Sequence, residues 1–553
     1  MKIAIGINGF KKYEDLEKRE RFCIESLLKI KSKNPNIELY NVCFQDEDIS
    51  YEGFTTLNKL TVKSNELIKE YFKHDELQKD YQLHKDEIDS NKKELPSVKE
   101  IFDVLAATDC DYFLFLNNDI ILSNRVLKEI DENAECYPMS RMHIHDIESL
   151  DEIPKLESYS VHGFDAFLIK KETWLQVCNN FEHVVLGRFY WDTYFFTVFN
   201  LFCKCKNINK LPPVCFHIEH NSVSSTNTIE NYYNESIFKK NLIVGHLWFS
   251  YVQNILLKRP TVAECKWYQP FTNEEQIEKH HFNQFSTAPK LFIENYKPIK
   301  LTTKTDYDIF IPLSPKDEIK LPYVLDGILQ NLVPKNIYVC SPHTVKNKIK
   351  EKTVTYINDK DVINIADRSF IKFRPNWTYA QFLKTFFSQG QSDYYFVIDS
   401  DAIVLKPFDL FIDEHPVWYY GPDQNHLPYF LLNKKAFNIN KVLPHTGISD
   451  TGFFNKQISK EALKYTNKNT PEELLQGLGG SLNNVFHFAD YEFYPNFAET
   501  FYPSLYKFKQ FKQKTYGRNL DNGENWSIPD IEKTIKDAKI KDLEVVTLHT
   551  WKI

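Results

Sequence analysis

The chain has no uninterrupted apolar run of 18 or more residues among its 553. A helical membrane span is therefore not expected, because crossing a bilayer takes about 20 consecutive apolar residues. There is no excess of positive charge either. Lys and Arg number 68 against 75 Asp and Glu, for a net charge of −7. A dedicated nucleic-acid binder is basic overall, so that class is disfavoured, although a local basic groove is not. No low-complexity tract appears. No secretory leader is expected, since Met1-Lys2 runs straight into IAIGING, too short for an apolar core and soon followed by charge. Cysteine is nearly missing from the second half: nine of the ten lie between Cys23 and Cys265, and Cys340 alone follows. Nothing places these thiols outside a cell, so a reducing, cytoplasmic setting is expected. Their asymmetry points to a domain boundary between residues 265 and 340.

Aromatic residues, by contrast, are abundant at 15%, with 31 Tyr and 43 Phe. Stacking surfaces for sugars or bases would account for this, and so would a low-GC coding bias. The length exceeds what one hydrophobic core serves, so two or three domains are expected.

The most informative stretch is Asp393 to Phe408, DYYFVIDSDAIVLKPF. Tyr394 to Ile398 reads as a fully buried strand. It stops at Asp399-Ser400-Asp401, and a short apolar segment leads to the breaker Lys406-Pro407. Carboxylates at the carboxyl end of a buried strand sit where open α/β sheets bind ligands. Oxygen ligands one residue apart suit Mg²⁺ or Mn²⁺ that also touches phosphate. Upstream, Trp377 to Phe387 reads as a helix carrying Gln381 and Lys384 about a turn apart. Strands are expected at Tyr307–Leu313, Ile337–Cys340 and Thr353–Ile357. Downstream lie HTGISDTG (residues 445–452), DYEFY (490–494) and the tail LHTW, with His549.

The first half holds a weaker copy of the same device. Asp111 to Leu122, DYFLFLNNDIIL, has the same plan as DYYFVIDSDAIVL, and a helix precedes each. This is an internal structural repeat. Strand, helix and strand over Lys2–Ile7, Arg21–Ile30 and Ile37–Phe44 suggest a parallel sheet. Residues 60–95, rich in both Lys and Glu, read as a solvated helical insertion or a partner-binding arm. Then follow GRFYWD, ending in Asp192, and HIEH, with His217 and His220. Cys203, Cys205, Cys215 and His217 offer an alternative, irregularly spaced zinc set.

Transfer of a sugar from a nucleoside diphosphate builds negative charge on the departing diphosphate. A divalent cation between carboxylates and phosphates stabilises it, and a nearby Lys helps. Asp399 and Asp401 would form the clamp and His549 a third ligand as neutral imidazole. Gln381 and Lys384 would approach the phosphates. Asp490 and Glu492 are candidate bases. Each also has a plain reading, as a solvated lysine, a surface histidine or an ordinary ion pair.

VIDSDAIVLKPF, with WTYAQFLKTF before it and ADYEFY after it, resembles the GT-A-type nucleotide-sugar glycosyltransferases. It looks most like a little-characterised bacterial and viral group with a Q-x-x-K helix, a D-x-D and an E-Y-E-x-Y-like motif. Asp490 stands where that group has Glu. The resemblance covers roughly residues 306–553. It implies that Asp399 and Asp401 bind metal and diphosphate, with His549 completing the site. About residues 1–225 are similar to family-2-like inverting transferases. That likeness implies that Asn118 and Asp119 meet the donor, that Asp192 is the base, and that His217 or His220 lies near metal or diphosphate. Asn117-Asn118-Asp119 replaces the D-x-D, which weakens the metal site there.

The expected architecture is α/β, with two tandem GT-A, Rossmann-like domains at 1–257 and 306–553 and a helical connection over 258–305. The expected activity is bifunctional sugar transfer from a UDP- or GDP-sugar, with Mn²⁺ or Mg²⁺ at least in the C-terminal domain. The acceptor would be a glycan, lipid-linked or protein-linked. Rival readings are transfer to viral nucleic-acid bases, or a carbohydrate-binding protein on a degenerate scaffold.

Overall fold

The computed structural model describes residues 1–9, 14–73, 78–128, 130, 134–155, 158–206, 214–218, 228–240, 288–301, 305–342, 354–421, 425–483, 485–519 and 525–551. The chain divides into two compact units, Met1–Ser286 and Thr287–Ile553. Among the described residues, no helix is long and apolar enough to cross a membrane.

The strands of the first unit are β1 (Ile3–Ile7), β2 (Ile37–Phe44), β3 (Thr55–Leu60), β4 (Tyr112–Leu116), β5 (Ile120–Leu122), β6 (Cys136–Ile144), β7 (Ser158–Lys170) and β8 (Cys215–Ile218). They form one sheet in the order β3-β2-β1-β4-β7-β6-β8-β5. Strands β3, β2, β1 and β4 are parallel, and β7 runs antiparallel to β4. Strands β1 and β4 are buried at every position. Parallel strands covered on both faces read as unbroken apolar runs, and IAIGI and YFLFL do so.

The charged stretch after β3 is less solvated than its composition suggests. It forms helices Ser64–Phe72 and Gln78–Ser90, with Ile68, Phe72 and Ile88 buried. Phe72 stacks on Tyr232, and Tyr71 meets Tyr233 edge-on, both partners belonging to helix Ile229–Lys240. A few large apolar side chains at helical spacing therefore dock a segment whose mean composition is charged.

The second unit contains β9 (Tyr307–Pro312), β10 (Ile337–Ser341), β11 (Val354–Asn358), β12 (Tyr394–Ile398), β13 (Ala402–Val404), β14 (Phe411–Ile412), β15 (His415–Tyr420), β16 (Thr451–Asn455), β17 (Lys507–Gln510), β18 (Gln513–Asn519) and β19 (Val545–Trp551). The main sheet has the order β11-β10-β9-β12-β16. Its first four strands are parallel and β16 is antiparallel to β12. Two small sheets complete it, β13-β19-β18 and β14-β15-β17.

Asn455 ends β16 and caps helix Lys456–Tyr465, accepting from the amides of Gln457 and Ile458. In helix Leu321–Asn331 a Cβ at Gly327 would lie 2.5 Å from the carbonyl oxygen of Val404. Glycine there lets the helix close directly onto β13. The later part of the expected connection belongs to this unit: Leu291 and Ile293 donate to the carbonyls of Ala436 and Tyr465. The earlier part, residues 258–287, lies outside the described residues.

Both units are α/β, with mostly parallel, Rossmann-like sheets. Each has four parallel strands with the first in the third place, followed by an antiparallel fifth. In each, the fourth strand ends in the polar triplet singled out above. In each, the short strand after the triplet pairs antiparallel with a strand from late in the unit: β5 with β8, and β13 with β19.

Candidate active sites

In the second unit this pairing brings distant residues to the D-x-D turn. Ala402 faces Thr547, and the amide of Leu548 donates to the carbonyl of Asp401 at 2.8 Å. His549, two residues past Thr547 and therefore on the same side of β19, is thus carried to the site. Its Nε2 lies 3.4 Å from Asp450 Oδ1. Asp450 directly precedes β16, and its carbonyl accepts from the amide of Asp399 at 3.0 Å. It adopts a left-handed backbone with φ of 54°, a conformation that non-glycine residues hold only when their surroundings enforce it. Gln513 donates to its other oxygen at 2.9 Å.

Behind this front row lies a buried second layer. Lys384, 2% exposed, places its ammonium 3.1 Å from Asp399 Oδ1 and 3.3 Å from Asp490 Oδ2. The same ammonium sits 4.1 Å from the ring centre of Tyr491, whose hydroxyl donates to Asp399 at 3.0 Å. On the other side, Lys320 pairs with Asp317 at 2.7 Å and donates to the Thr550 hydroxyl at 2.8 Å, with all three residues buried. Ser400 reaches the second oxygen of Asp317 at 3.4 Å. The D-x-D turn and the C-terminal strand are thus tied to one buried ion pair.

Burial sets the charges. It pushes Asp490 up to about 7, opposed by Lys384 and reinforced by Asp399. It pushes Asp401 to about 7, opposed by His549 and reinforced by Asp317. Burial also raises Asp399, against the pull of Lys384. It works against a charged Lys384 too, but Asp399 and Asp490 outweigh it and hold the amine above its ordinary value. For His549, burial is outweighed by Asp450 and Asp401, which raise the imidazole to about 10. The ring is therefore an imidazolium beside Asp450, whereas a metal ligand must be neutral.

The predicted roles divide accordingly. Asp399, Asp401 and His549 come together and are partly open to solvent. Asp490 joins them from behind. Lys384 is enclosed between two carboxylates and supports Asp399 rather than reaching outward. Gln381 is buried and its amide donates to the Trp377 carbonyl of its own helix at 3.3 Å. Glu492 points elsewhere than Asp490, because residues two apart on a helix do not share a face. Its carboxylate accepts from the Thr446 hydroxyl and from the Gly447 amide, the latter at 3.1 Å. Asp450, Asp317 and Lys320 were missed. Their signals were the strand-end sequences ISDTG, which carries Asp450 without His549 or Gln513, and SPKDEIK, which carries the Asp317–Lys320 pair without Ser400 or Thr550.

The first unit repeats the frame with different chemistry. Asn117 occupies the place of Asp399: its amide donates to the Asp165 carbonyl at 3.1 Å, as that of Asp399 does to Asp450. Asp165 thus matches Asp450. Asn117 Nδ2 donates to Asp165 Oδ1 at 2.8 Å, and Arg141 pairs with Oδ2 at 2.9 Å. Asn118 donates to Glu20 at 3.1 Å. Asp119, in the place of Asp401, lies 3.1 Å from His217 Nε2 and 3.7 Å from Arg19. Burial disfavours its charge, yet the hydrogen bond and charge of His217 with that of Arg19 outweigh it, holding the carboxyl below its ordinary value. Asp192 opens helix Trp191–Phe202 and accepts from the Phe164 amide at 3.1 Å. Burial, then Asp165, pushes its carboxyl up to about 6. His220 lies outside the described residues.

Among the described residues, no group of three or more His, Cys, Asp or Glu side chains is drawn together to hold a metal. This includes the cysteine-rich alternative, in which Cys215 packs against Met139 at 3.9 Å. Mg²⁺ and Mn²⁺ bound with phosphates need only one or two carboxylates, the rest of the shell being phosphate and water. Asp399 and Asp401 fit that demand. In the first unit the single strand-end carboxylate, Asp119, is already held by His217 and Arg19.

No protein-family model and no curated protein matches the chain. Among solved structures it is similar to that of an active-site mutant of LgtC, at 10% identity, over 44% of this chain and 86% of that one, with a TM-score of 0.24.

Proposed function

We propose that the chain is a glycosyltransferase that moves sugars from nucleotide-sugar donors to a glycan acceptor, with its second unit as a metal-dependent site. One observation carries this reading. Pairing of β13 with β19 gathers Asp399, Asp401, Asp450 and His549 at the carboxyl end of a parallel sheet, over the buried Asp399–Lys384–Asp490 chain. Asp399 and Asp401 would hold Mg²⁺ or Mn²⁺, with His549 joining after loss of its proton. The cation would offset charge on the departing diphosphate. Tyr491 and Lys384 fix the Asp399 carboxylate from behind. Asp490 and Glu492 are both fully buried, so neither meets an acceptor hydroxyl directly. The proton of that hydroxyl passes instead to the leaving diphosphate oxygen. In the first unit Asp192, at about 6, is suited to act as a base near neutral pH.

The test is a screen of UDP- and GDP-sugars for Mn²⁺- or Mg²⁺-dependent hydrolysis and transfer, on wild type, Asp119→Ala and Asp401→Ala. Metal-dependent turnover lost in Asp401→Ala is expected. A binding protein on a degenerate scaffold would instead bind sugar equally in wild type and Asp399→Ala and turn over nothing. Sugar transfer to nucleic-acid bases would show as activity only with a polynucleotide acceptor.

A further inference from the structure

The two units draw the cations at their strand-end sites from different elements. In the second unit the buried cation comes from the helix before the fourth strand, where Lys384 stands 15 residues ahead of Asp399. The same step back from Asn117 lands on Phe102. Phe102 is buried in an aromatic cluster with Phe113, Phe115 and Trp174. That position supplies no charge in the first unit. Its charge comes from two other elements: Arg141 on β6 and Arg19 on helix Glu14–Lys33. Arg141 Nη1 lies 2.9 Å from Asp165, and Arg19 Nη1 3.7 Å from Asp119. Asp165 and Asp119 stand in the places of Asp450 and Asp401. One of the two strand-end carboxylates, moreover, has become Asn117.

Resting on the reading of both units as sugar-nucleotide sites, we infer that the first unit binds the diphosphate of a nucleoside diphosphate through Arg19 and Arg141, without a divalent cation. The chemistry is direct. Guanidinium groups present paired N–H donors that match phosphate oxygens, and they stay charged under all conditions. Arg141 is the more open of the two, with 30% of its side chain exposed against 11% for Arg19. A hard cation placed between Asn117 and Asp119 would face a neutral amide, a carboxylate already committed to His217, and two adjacent positive charges. A diphosphate meets the same two charges favourably. The second unit, with carboxylates at both strand-end positions, has the opposite preference.

The test uses the full chain carrying Asp399→Asn and Asp401→Asn, which silences the second site. UDP and GDP are titrated by calorimetry in Mn²⁺ and in EDTA. One equivalent bound with the same affinity in both buffers is expected. Adding Arg19→Gln should weaken it about tenfold or more, the scale of one charge-assisted hydrogen bond. The neutral exchange Arg141→Gln with Asp165→Asn should do the same, without leaving Asp165 buried and unpaired. Binding in Mn²⁺ that EDTA abolishes would overturn the inference, as would full affinity in both arginine variants. If wild type binds only with Mn²⁺ and the silenced chain binds nothing, this inference falls and the metal-dependent second site stands. If wild type binds neither nucleotide in either buffer, both fall.

Discussion

Replacing Lys384 by Met would test whether the second unit's site is held together by its buried charges. The ammonium is the shared partner of Asp399 and Asp490, and Asp490 is fully buried. Removing one member of a buried ion pair costs about 3–5 kcal/mol, because the remaining charge is left uncompensated. Asp490 has an escape, since its carboxyl is already at about 7. Without Lys384 it rises further and stays protonated in the folded state. The sign follows. A folded carboxyl with raised pKa binds more protons than the unfolded chain, so stability falls as pH rises, by up to about 1.4 kcal/mol per pH unit for one group. Lys384→Met should therefore be mild near pH 5 and severe near pH 8. Adding Asp490→Asn should recover much of the loss at pH 8. The assay is hydrogen exchange in graded urea, followed on peptides spanning residues 375–399 and 490–501. A pH-independent effect below about 1 kcal/mol, in the range of ordinary surface pairs, would refute the reasoning. So would a double variant less stable than the single one at pH 8.

Three further outcomes follow from particular contacts. Truncation after residue 544 removes buried Val545, Val546 and Leu548, each worth about 1.5–3 kcal/mol; exchange protection across the second unit should collapse, whereas His549→Gln should spare it and reduce only metal-dependent turnover. Gly447→Ala would put a Cβ 1.8 Å from the Tyr491 carbonyl oxygen, so it should lower the melting temperature and loosen Tyr491 from Asp399, seen as a fall in turnover beyond that expected from stability. His426 and His487 face each other at 3.0 Å, and burial lowers them to about 4 and about 3; the unfolded chain then binds more protons, so stability should be lost locally as pH falls from 6.5 toward 4, measurable as faster exchange, corrected for the intrinsic pH dependence, in residues 425–437.

The parts of the site that were legible in sequence are those written in one short segment. YYFVIDSD and YFLFLNND show a buried strand and its polar end together, because a run of five apolar residues is too short for a typical helix and suits a buried strand. The repeat was legible for the same reason. Asp450 and Asp165 were not, since each acts through the register of an antiparallel strand laid beside the fourth strand, and register is a tertiary fact. Asp490 and Glu492 looked alike in DYEFY, yet helical geometry turns one toward Lys384 and the other toward Thr446 and Gly447. Lys384 was read as a phosphate contact because the residue type suits one. That burial would enclose it between two carboxylates needs Tyr491 and the helix Asp490–Phe501 in place.

The two strand-end sites show how one frame tolerates opposite electrostatics. The backbone bond from the first triplet residue to a carbonyl in or next to the antiparallel fifth strand is kept, to Asp165 at 3.1 Å in one unit and to Asp450 at 3.0 Å in the other. It fixes where the side chains start, not what they are. At the position shared by Asp119 and Asp401 the surroundings push the carboxyl in opposite directions, below its ordinary value in the first unit and to about 7 in the second. The cause is local. Asp119 has His217 and Arg19 at hand, whereas at Asp401 burial, reinforced by Asp317, outweighs the compensating charges of His549 and Lys320. A carboxylate already compensated has little to gain from an added cation. One short of positive charge has much to gain, and binding any divalent ion there should stabilise the folded second unit. Adding Mn²⁺ should thus slow exchange around residues 394–405 and 545–551 and leave residues 112–122 unchanged. Equal protection of both strand ends would mean that the guanidiniums of the first unit do not stand in for the metal.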